Sequence, residues 1–157
     1  MNKRLKYLGY SIVFQEVPNE VTLAINISGC PYKCEGCHSE YLWEYEGDYI
    51  SDDLYNLINK YNKLITCVCF MGGDQNPIDL IYCLNIVKQF GLKTCLYSGK
   101  DSLSSLTSAG ISDCCDYIKV GHYDKRLGGL ESLITNQKFY SRINGNLINT
   151  TYLFQNK

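Results

Sequence analysis

The sequence lacks the features that mark several large classes of protein. Its 15 lysines and arginines are balanced by 16 acidic residues, so no basic surface for nucleic acid or for an anionic membrane is expected. No window approaches the ~20 consecutive apolar residues of a membrane span. The cationic residues 1–7 are followed by polar ones, without the apolar core and cleavage site of a secretory signal. We therefore expect a cytoplasmic protein that binds neither nucleic acid nor membrane.

Cysteine, in contrast, is abundant, with nine residues in a chain of 157. An odd number in a chain of this size favours metal-binding thiols in a reducing compartment over a disulfide framework.

Cys30, Cys34 and Cys37 follow directly on the apolar run 21–27. Their spacing would place them on one face of a helix, as buried thiols. Pro31 and the flanking glycines favour a loop instead, in which all three sulfurs can turn inward.

Three converging thiolates predict an iron-sulfur cluster with one open iron. Structural zinc sites usually take four ligands as two separated pairs, and His38 is too close to Cys37 in sequence to complete a tetrahedron easily. A [4Fe-4S] cluster is bound through cysteine thiolates, so three of them would leave its fourth iron open to an exogenous molecule. A zinc site and three unliganded core thiols are the alternatives.

Beyond the cysteine motif, segments typical of buried strands alternate with segments typical of one-sided helices. Residues 7–14 are β-prone. The segments typical of central strands are 21–27, 64–71, 93–97 and 116–120, and the helical ones are 51–61, 77–90 and 101–110. Ser51 and Asn76 are expected as N-caps. The alternation predicts an α/β fold with βαβ units and a mostly parallel sheet. The chain is too short for a full (β/α) barrel of about 250 residues, so any barrel must be truncated and open. We expect a single domain, residues 1–157, with a C-terminal hairpin around Asn144-Gly145.

Glycines and polar residues follow the predicted strands. Gly72-Gly73-Asp74 ends the second strand, Ser98 follows the third and His122 follows the fourth. Ligands of open α/β sheets bind beyond the carboxyl ends of the strands, so these residues are candidates for one site with the cysteine loop. Two successive glycines would allow a ligand to approach the backbone. Ser98 is explained equally well as an ordinary turn residue. A lone histidine such as His122 is more often a surface or structural residue than a proton or substrate contact, so we do not assign it to the site.

The C-x3-C-x2-C motif resembles that of the radical S-adenosylmethionine superfamily, in which an aromatic residue commonly precedes the third cysteine. Gly36 stands there instead, which is similar to the small activating proteins of anaerobic ribonucleoside-triphosphate reductase. Gly72-Gly73-Asp74 resembles the Gly-Gly-Glu segment that contacts the amino group of S-adenosylmethionine. The later order of Gly128-Gly129-Leu130, Thr135-Asn136-Gln137 and a terminal hairpin is similar to the same group.

This resemblance implies a radical S-adenosylmethionine domain, a truncated open (β/α) barrel. Cys30, Cys34 and Cys37 would bind three irons of a [4Fe-4S] cluster, and S-adenosylmethionine would chelate the fourth. One electron would split the sulfonium into methionine and a 5′-deoxyadenosyl radical. That radical would take a hydrogen atom from a backbone glycine of the reductase and leave a glycyl radical. The cofactors carry this chemistry, which fits a sequence in which no Ser-His-Asp pattern or acid-base pair stands out.

The resemblance also implies cofactor contacts and partners. The expected cofactor contacts are Gly36, Cys37 and His38 at the nucleoside, Gly72, Gly73 and Asp74 at the methionyl end, and Ser98 in the pocket wall. The expected partners are the glycyl radical subunit of anaerobic ribonucleoside-triphosphate reductase and a flavodoxin or ferredoxin as electron donor. Alternatives are an activase for an enzyme of the pyruvate formate-lyase type, a small-molecule modifier, and a non-catalytic zinc-binding module.

Overall fold

The structure is a computed structural model that describes residues 4–34 and 39–155. Its strands are β1 Lys6–Val13, β2 Thr22–Ile27, β3 Asp48–Tyr49, β4 Cys67–Met71, β5 Lys93–Tyr97, β6 Tyr117–Val120, β7 Lys138–Ile143 and β8 Asn146–Asn149. Its helices are α1 Ile50–Tyr61, α2 Pro77–Gln89 and α3 Leu103–Ser108, with short 3₁₀ turns at Glu40–Leu42, Ser112–Cys114 and Thr151–Phe154. The strands form one sheet in the order β3-β1-β2-β4-β5-β6-β7-β8.

The prediction of a mostly parallel sheet in a truncated (β/α) barrel of radical S-adenosylmethionine type is wrong. Four of the seven strand pairings are antiparallel and three are parallel. The sheet is mixed and open, with β3 and β8 at its edges. The short connection 14–21 turns the chain back, so β1 pairs antiparallel with β2. The C-terminal hairpin joins the sheet at β6 and adds two more antiparallel pairings. Hydrophobic patterning identifies such strands but does not specify their neighbours.

The alternating strands and helices do form parallel pairs at the centre of the sheet. β2, β4, β5 and β6 are consecutive neighbours and run parallel. Parallel neighbours need long crossover connections, and the segments that contain α1, α2 and α3 provide them. The carboxyl ends of these four strands therefore lie along one edge of the sheet.

The two faces of the sheet are covered differently. Val68 and Phe70 point into a core with the helices, whereas Cys67 and Cys69 point to the opposite face. Loops and the C-terminal turn cover that second face through Val17, Leu130 and Phe154, which pack with Phe139 of β7. Cys67, Cys69 and Cys95 are fully buried there, as core thiols. Burial raises the pKa of the Cys67 and Cys95 thiols, which keeps them protonated.

The beginnings of the two long helices show one correct N-cap prediction and one wrong one. The side chain of Asn76 accepts a hydrogen bond from the backbone N–H of Asp79 at 3.2 Å, and Pro77 opens α2. Ser51 lies inside the first turn of α1, where its Oγ accepts a hydrogen bond from Arg4 at 2.7 Å.

The longest helix among the described residues has 13 residues. Across residues 4–34 and 39–155, no helix has both the length and the apolar character that crossing a membrane requires.

Two glycines allow the packing at the end of β6 to be tested. Gly121 has φ +104°, and a Cβ there would lie 2.8 Å from Gln137 Cα. Gly145, in the hairpin turn, has φ +84° but no atom within 4 Å of a Cβ. Both alanine variants strain the backbone, at a cost of about 1 kcal/mol, but only Gly121→Ala also creates a backbone overlap. We expect Gly145→Ala to lower the free energy of unfolding by about 1 kcal/mol and Gly121→Ala by roughly 3 kcal/mol, measured by urea denaturation. Equal losses would contradict the close packing of Gly121 on Gln137.

Candidate functional site

A cavity of about 210 Å³ lies at the carboxyl edge of the four parallel strands. Residues that follow β2, β4, β5 and β6 line it together with the described part of the cysteine loop. The candidate residues among them are Cys30, Cys34, Gly72, Asp74, Ser98 and His122. The structure therefore brings together groups that are far apart in the sequence. Gly36, Cys37 and His38 lie outside the described residues.

Gly73 is the one described candidate that does not line the cavity. It is buried with φ +116°, and a Cβ there would lie 3.2 Å from Leu80 Cδ1 and 3.3 Å from Leu5 Cδ1. Its glycine is required by the backbone conformation and the core behind it. Gly72, with φ +102°, lines the cavity itself. Of the two glycines at which the approach of a ligand to the backbone is predicted, Gly72 is the one that lines the cavity.

Backbone hydrogen bonds hold the start of the cysteine loop. Gly29 has φ +75°, and its N–H donates to the Glu44 carbonyl at 3.0 Å. The N–H of Cys30 donates to the Leu42 carbonyl at 2.9 Å. Because the segment that follows the motif binds the segment that precedes it, the loop is closed at its base.

Two side chains tie the cysteine loop to the segment after β4. Gln75 Nε2 donates to the Ser28 carbonyl at 3.3 Å, and Gln75 Oε1 accepts from the Gly73 N–H at 3.1 Å. The Tyr32 hydroxyl donates to Asp74 Oδ2 at 3.0 Å. Burial, reinforced by Asp74, raises the pKa of Tyr32, so the phenol stays protonated as a donor. The buried Asp74 carboxylate is thereby held in a fixed position at the cavity.

Neighbouring backbone shapes the wall around Tyr32. A Cβ on Gly99 would lie 2.6 Å from Tyr32 Cδ2, so glycine lets the ring lie against this turn. Ser98 is fully buried beside it. Its Oγ accepts the Lys100 N–H at 3.0 Å, while the residue also lines the cavity. The sequence left open whether Ser98 is a turn residue or a pocket residue. In the structure it holds the turn and also lines the cavity.

Lys119 is a site residue that the sequence reasoning missed. It lines the cavity with 9% of its surface exposed, and its Nζ donates to the Gly121 carbonyl at 2.9 Å. Burial lowers the pKa of Lys119 to about 8, although nearby Cys34, Asp74 and Cys30 favour its charged form. A lysine in the otherwise apolar strand Tyr117–Val120 was the available signal, because a buried charge normally needs a partner.

His122 is oriented by Asp101 at the rim of the cavity. Its Nδ1 lies 2.6 Å from Asp101 Oδ1, and its backbone N–H donates to the same oxygen at 3.2 Å. These two hydrogen bonds lower the pKa of Asp101. The ring is half-exposed and faces the cavity and the groove beside it. The sequence alone left His122 as a surface or structural residue.

The described donor set suits a thiolate-bound metal centre. Cys30 and Cys34 are free, half-buried thiols at one cavity, and soft thiolates favour zinc or iron-sulfur clusters. Within residues 4–34 and 39–155, no three histidine, cysteine or acidic residues converge as metal ligands. The third motif cysteine, Cys37, lies outside those residues. Comparisons of the chain with protein-family models, curated proteins and solved structures found no match.

Proposed function

We propose that the protein is a radical S-adenosylmethionine enzyme that generates a glycyl radical on an anaerobic ribonucleoside-triphosphate reductase. The observation that carries this proposal is the common cavity of Cys30 and Cys34 with the buried charges Asp74 and Lys119. A metal-binding loop facing a carboxylate and an ammonium group is suited to a metal-bound cofactor that carries an amino acid. The resemblance of the C-x3-C-x2-C motif to the superfamily supports the same assignment.

The charges of the cavity complement the methionyl end of S-adenosylmethionine. An α-amino acid group carries one ammonium and one carboxylate, and the cavity offers the opposite charge to each in Asp74 and Lys119. Buried charges are costly unless they are paired, so a ligand with both groups would compensate both residues. Gly72 leaves the backbone beside Asp74 open to that ligand.

Cys30 and Cys34, together with Cys37 outside the described residues, would hold three irons of a [4Fe-4S] cluster. When bound, the cluster and S-adenosylmethionine supply the one-electron cleavage of the sulfonium. The chain contributes position, charge and exclusion of water. The ammonium group of Lys119 would offset the negative charge of Cys30 and Cys34 when these residues ligate the cluster. The apolar side chains of Ile27, Leu42 and Met71 form part of the wall and limit access of water.

The reaction on the partner balances without an acid or base from the chain. A Cα–H bond of a partner glycine breaks, the hydrogen atom ends in 5′-deoxyadenosine, and the unpaired electron stays on the glycine. Methionine is the second product. The single electron comes from an external donor of the flavodoxin or ferredoxin class.

The proposal is tested by electron paramagnetic resonance. The anaerobic protein, S-adenosylmethionine, a one-electron reductant and the reductase should give a glycyl radical signal and matching amounts of 5′-deoxyadenosine. A signal only with an enzyme of the pyruvate formate-lyase type would reassign the partner. Cleavage without a radical on either protein would indicate a small-molecule substrate. A colourless zinc protein that leaves S-adenosylmethionine intact would reject the enzyme assignment.

A further inference from the structure

Asp74 is a buried carboxylate that keeps bonding capacity for a ligand. It is 5% exposed and lines the cavity. Within residues 4–34 and 39–155, its one side-chain hydrogen bond is the one that Oδ2 accepts from the Tyr32 hydroxyl at 3.0 Å. An ionised carboxylate has about four acceptor positions, and a buried charge normally needs a partner. A neutral hydroxyl leaves the negative charge in place, so Oδ1 is available to a cationic donor in the cavity.

Packing fixes the ring that carries this hydroxyl. A Cβ on Gly99 would lie 2.6 Å from Tyr32 Cδ2 and 2.9 Å from Cε2, so the ring lies directly against the turn after β5. Side chains locked by packing hold a functional group more precisely than free ones. The hydroxyl is therefore presented to Asp74 in one position.

Tyr32 also belongs to the cysteine loop. It lies two residues after Cys30 and two residues before Cys34, and all three residues line the cavity. Its bond to Asp74 joins this loop to the segment that follows β4. The loop that carries the two cysteines therefore also sets the orientation of the buried carboxylate.

We propose that Tyr32 is a positioning residue that orients Asp74 to accept the ammonium group of the ligand's amino-acid end. The proposal rests on the proposed function, in which the ligand is S-adenosylmethionine. The hydroxyl occupies Oδ2 and leaves Oδ1 for the ammonium. An acceptor that is already oriented does not have to be ordered when the ligand binds, so less affinity is lost to that ordering. The effect of Tyr32 is confined to ligands that carry the ammonium group.

The test compares two nucleosides that differ in the amino-acid end. S-adenosylhomocysteine carries this end and 5′-methylthioadenosine lacks it, and neither has a sulfonium to cleave. Tyr32→Phe keeps the ring and removes the hydroxyl. It should weaken binding of S-adenosylhomocysteine about tenfold and leave binding of 5′-methylthioadenosine unchanged. Isothermal titration calorimetry on anaerobically prepared full-length protein measures both affinities.

Tyr97→Phe is the matched control for Tyr32→Phe. It also removes a phenol hydroxyl from the cavity wall, but that hydroxyl donates to the Glu16 carbonyl. The ratio of the two affinities should stay that of the wild type. Unchanged or tighter binding of S-adenosylhomocysteine by Tyr32→Phe would overturn the proposal, and tighter binding would mean that the hydroxyl competes with the ammonium. Equal losses for both nucleosides, or the same selective loss in Tyr97→Phe, would overturn it as a general effect on the wall.

Cleavage of S-adenosylmethionine by the wild type separates this inference from the proposed function. Cleavage together with unchanged affinities in Tyr32→Phe rejects the role of Tyr32 alone. A selective loss in Tyr32→Phe without cleavage by the wild type rejects the enzyme and retains the recognition of the ammonium group. A wild type that binds the two nucleosides equally rejects both.

Discussion

Replacement of Cys34 by alanine is expected to lower the rate of 5′-deoxyadenosine formation about 10³-fold or more, to the background of the assay. Cys34 lines the cavity and supplies one of the three thiolates of the motif. With two thiolates the chain would bind a cluster weakly or incompletely. Iron content should fall together with cleavage, because one cause underlies both losses.

Cys114→Ala is the matched control for Cys34→Ala. Cys114 is also a partly exposed free thiol, but it contacts the Gly110 carbonyl at 3.7 Å and does not line the cavity. Its variant should retain iron and cleavage. Retention of both by Cys34→Ala would reject Cys34 as a ligand, and equal losses in the two variants would indicate a general effect of removing a thiol.

Lys119→Met is expected to stabilise iron-free protein near neutral pH. A pKa lowered from 10.5 to about 8 means that the folded state disfavours this charge. A shift of this size corresponds to about 3 kcal/mol. The variant also loses the hydrogen bond to the Gly121 carbonyl, so the expected gain in the free energy of unfolding is about 2 kcal/mol. Urea denaturation at pH 7 measures it, with exposed Lys63→Met as the control that should change little.

The pH dependence of this gain has a definite sign. Between pH 8 and 10.5 the unfolded chain keeps the Lys119 proton that the folded chain has lost, so the wild-type penalty disappears as pH rises. The difference between Lys119→Met and wild type should therefore shrink over this window. Buried thiols such as Cys67, whose pKa is raised, lower the stability of both proteins alike in alkali. A difference that stayed constant from pH 7 to 10.5 would contradict a buried lysine of lowered pKa.

The lowered pKa of Lys119 indicates a cost in stability at the position where the proposed function uses this residue. Side chains with strongly shifted pKa values concentrate at functional sites, because burial beside other charges serves binding or chemistry rather than folding. The same Lys119→Met variant should bind S-adenosylmethionine more weakly while it unfolds less readily. A change of opposite sign in binding and stability is not expected of a purely structural lysine.

Local patterns predicted the elements of the fold better than their arrangement. The N-cap at Asn76 depends on residues that are neighbours in sequence, and it was predicted correctly. Ser51 has the right chemistry for a cap, but β3 runs directly into α1 and places Ser51 inside the helix. The pairing of β1 and of the hairpin with the central strands depends on tertiary packing. The mixed sheet could therefore not be derived from the hydrophobic pattern.

The candidate site was predictable where a residue follows a central strand. Cys30, Gly72 and Ser98 are far apart in sequence, but the parallel centre of the sheet brings the ends of their strands to one edge. Gly73 lies against core side chains, and a glycine needed for core packing looks the same in sequence as one needed for a ligand. Lys119 was missed because the hydrophobic pattern of a strand does not show which of its buried side chains line a cavity.

If three thiolates bind a cluster with one open iron, the metal of anaerobically prepared protein should show it. We expect about four iron atoms per chain, broad absorption in the blue that bleaches on reduction, and a change in the electron paramagnetic resonance spectrum when S-adenosylmethionine is added. One tetrahedral zinc per chain, or an iron-sulfur spectrum that S-adenosylmethionine leaves unchanged, would contradict the account.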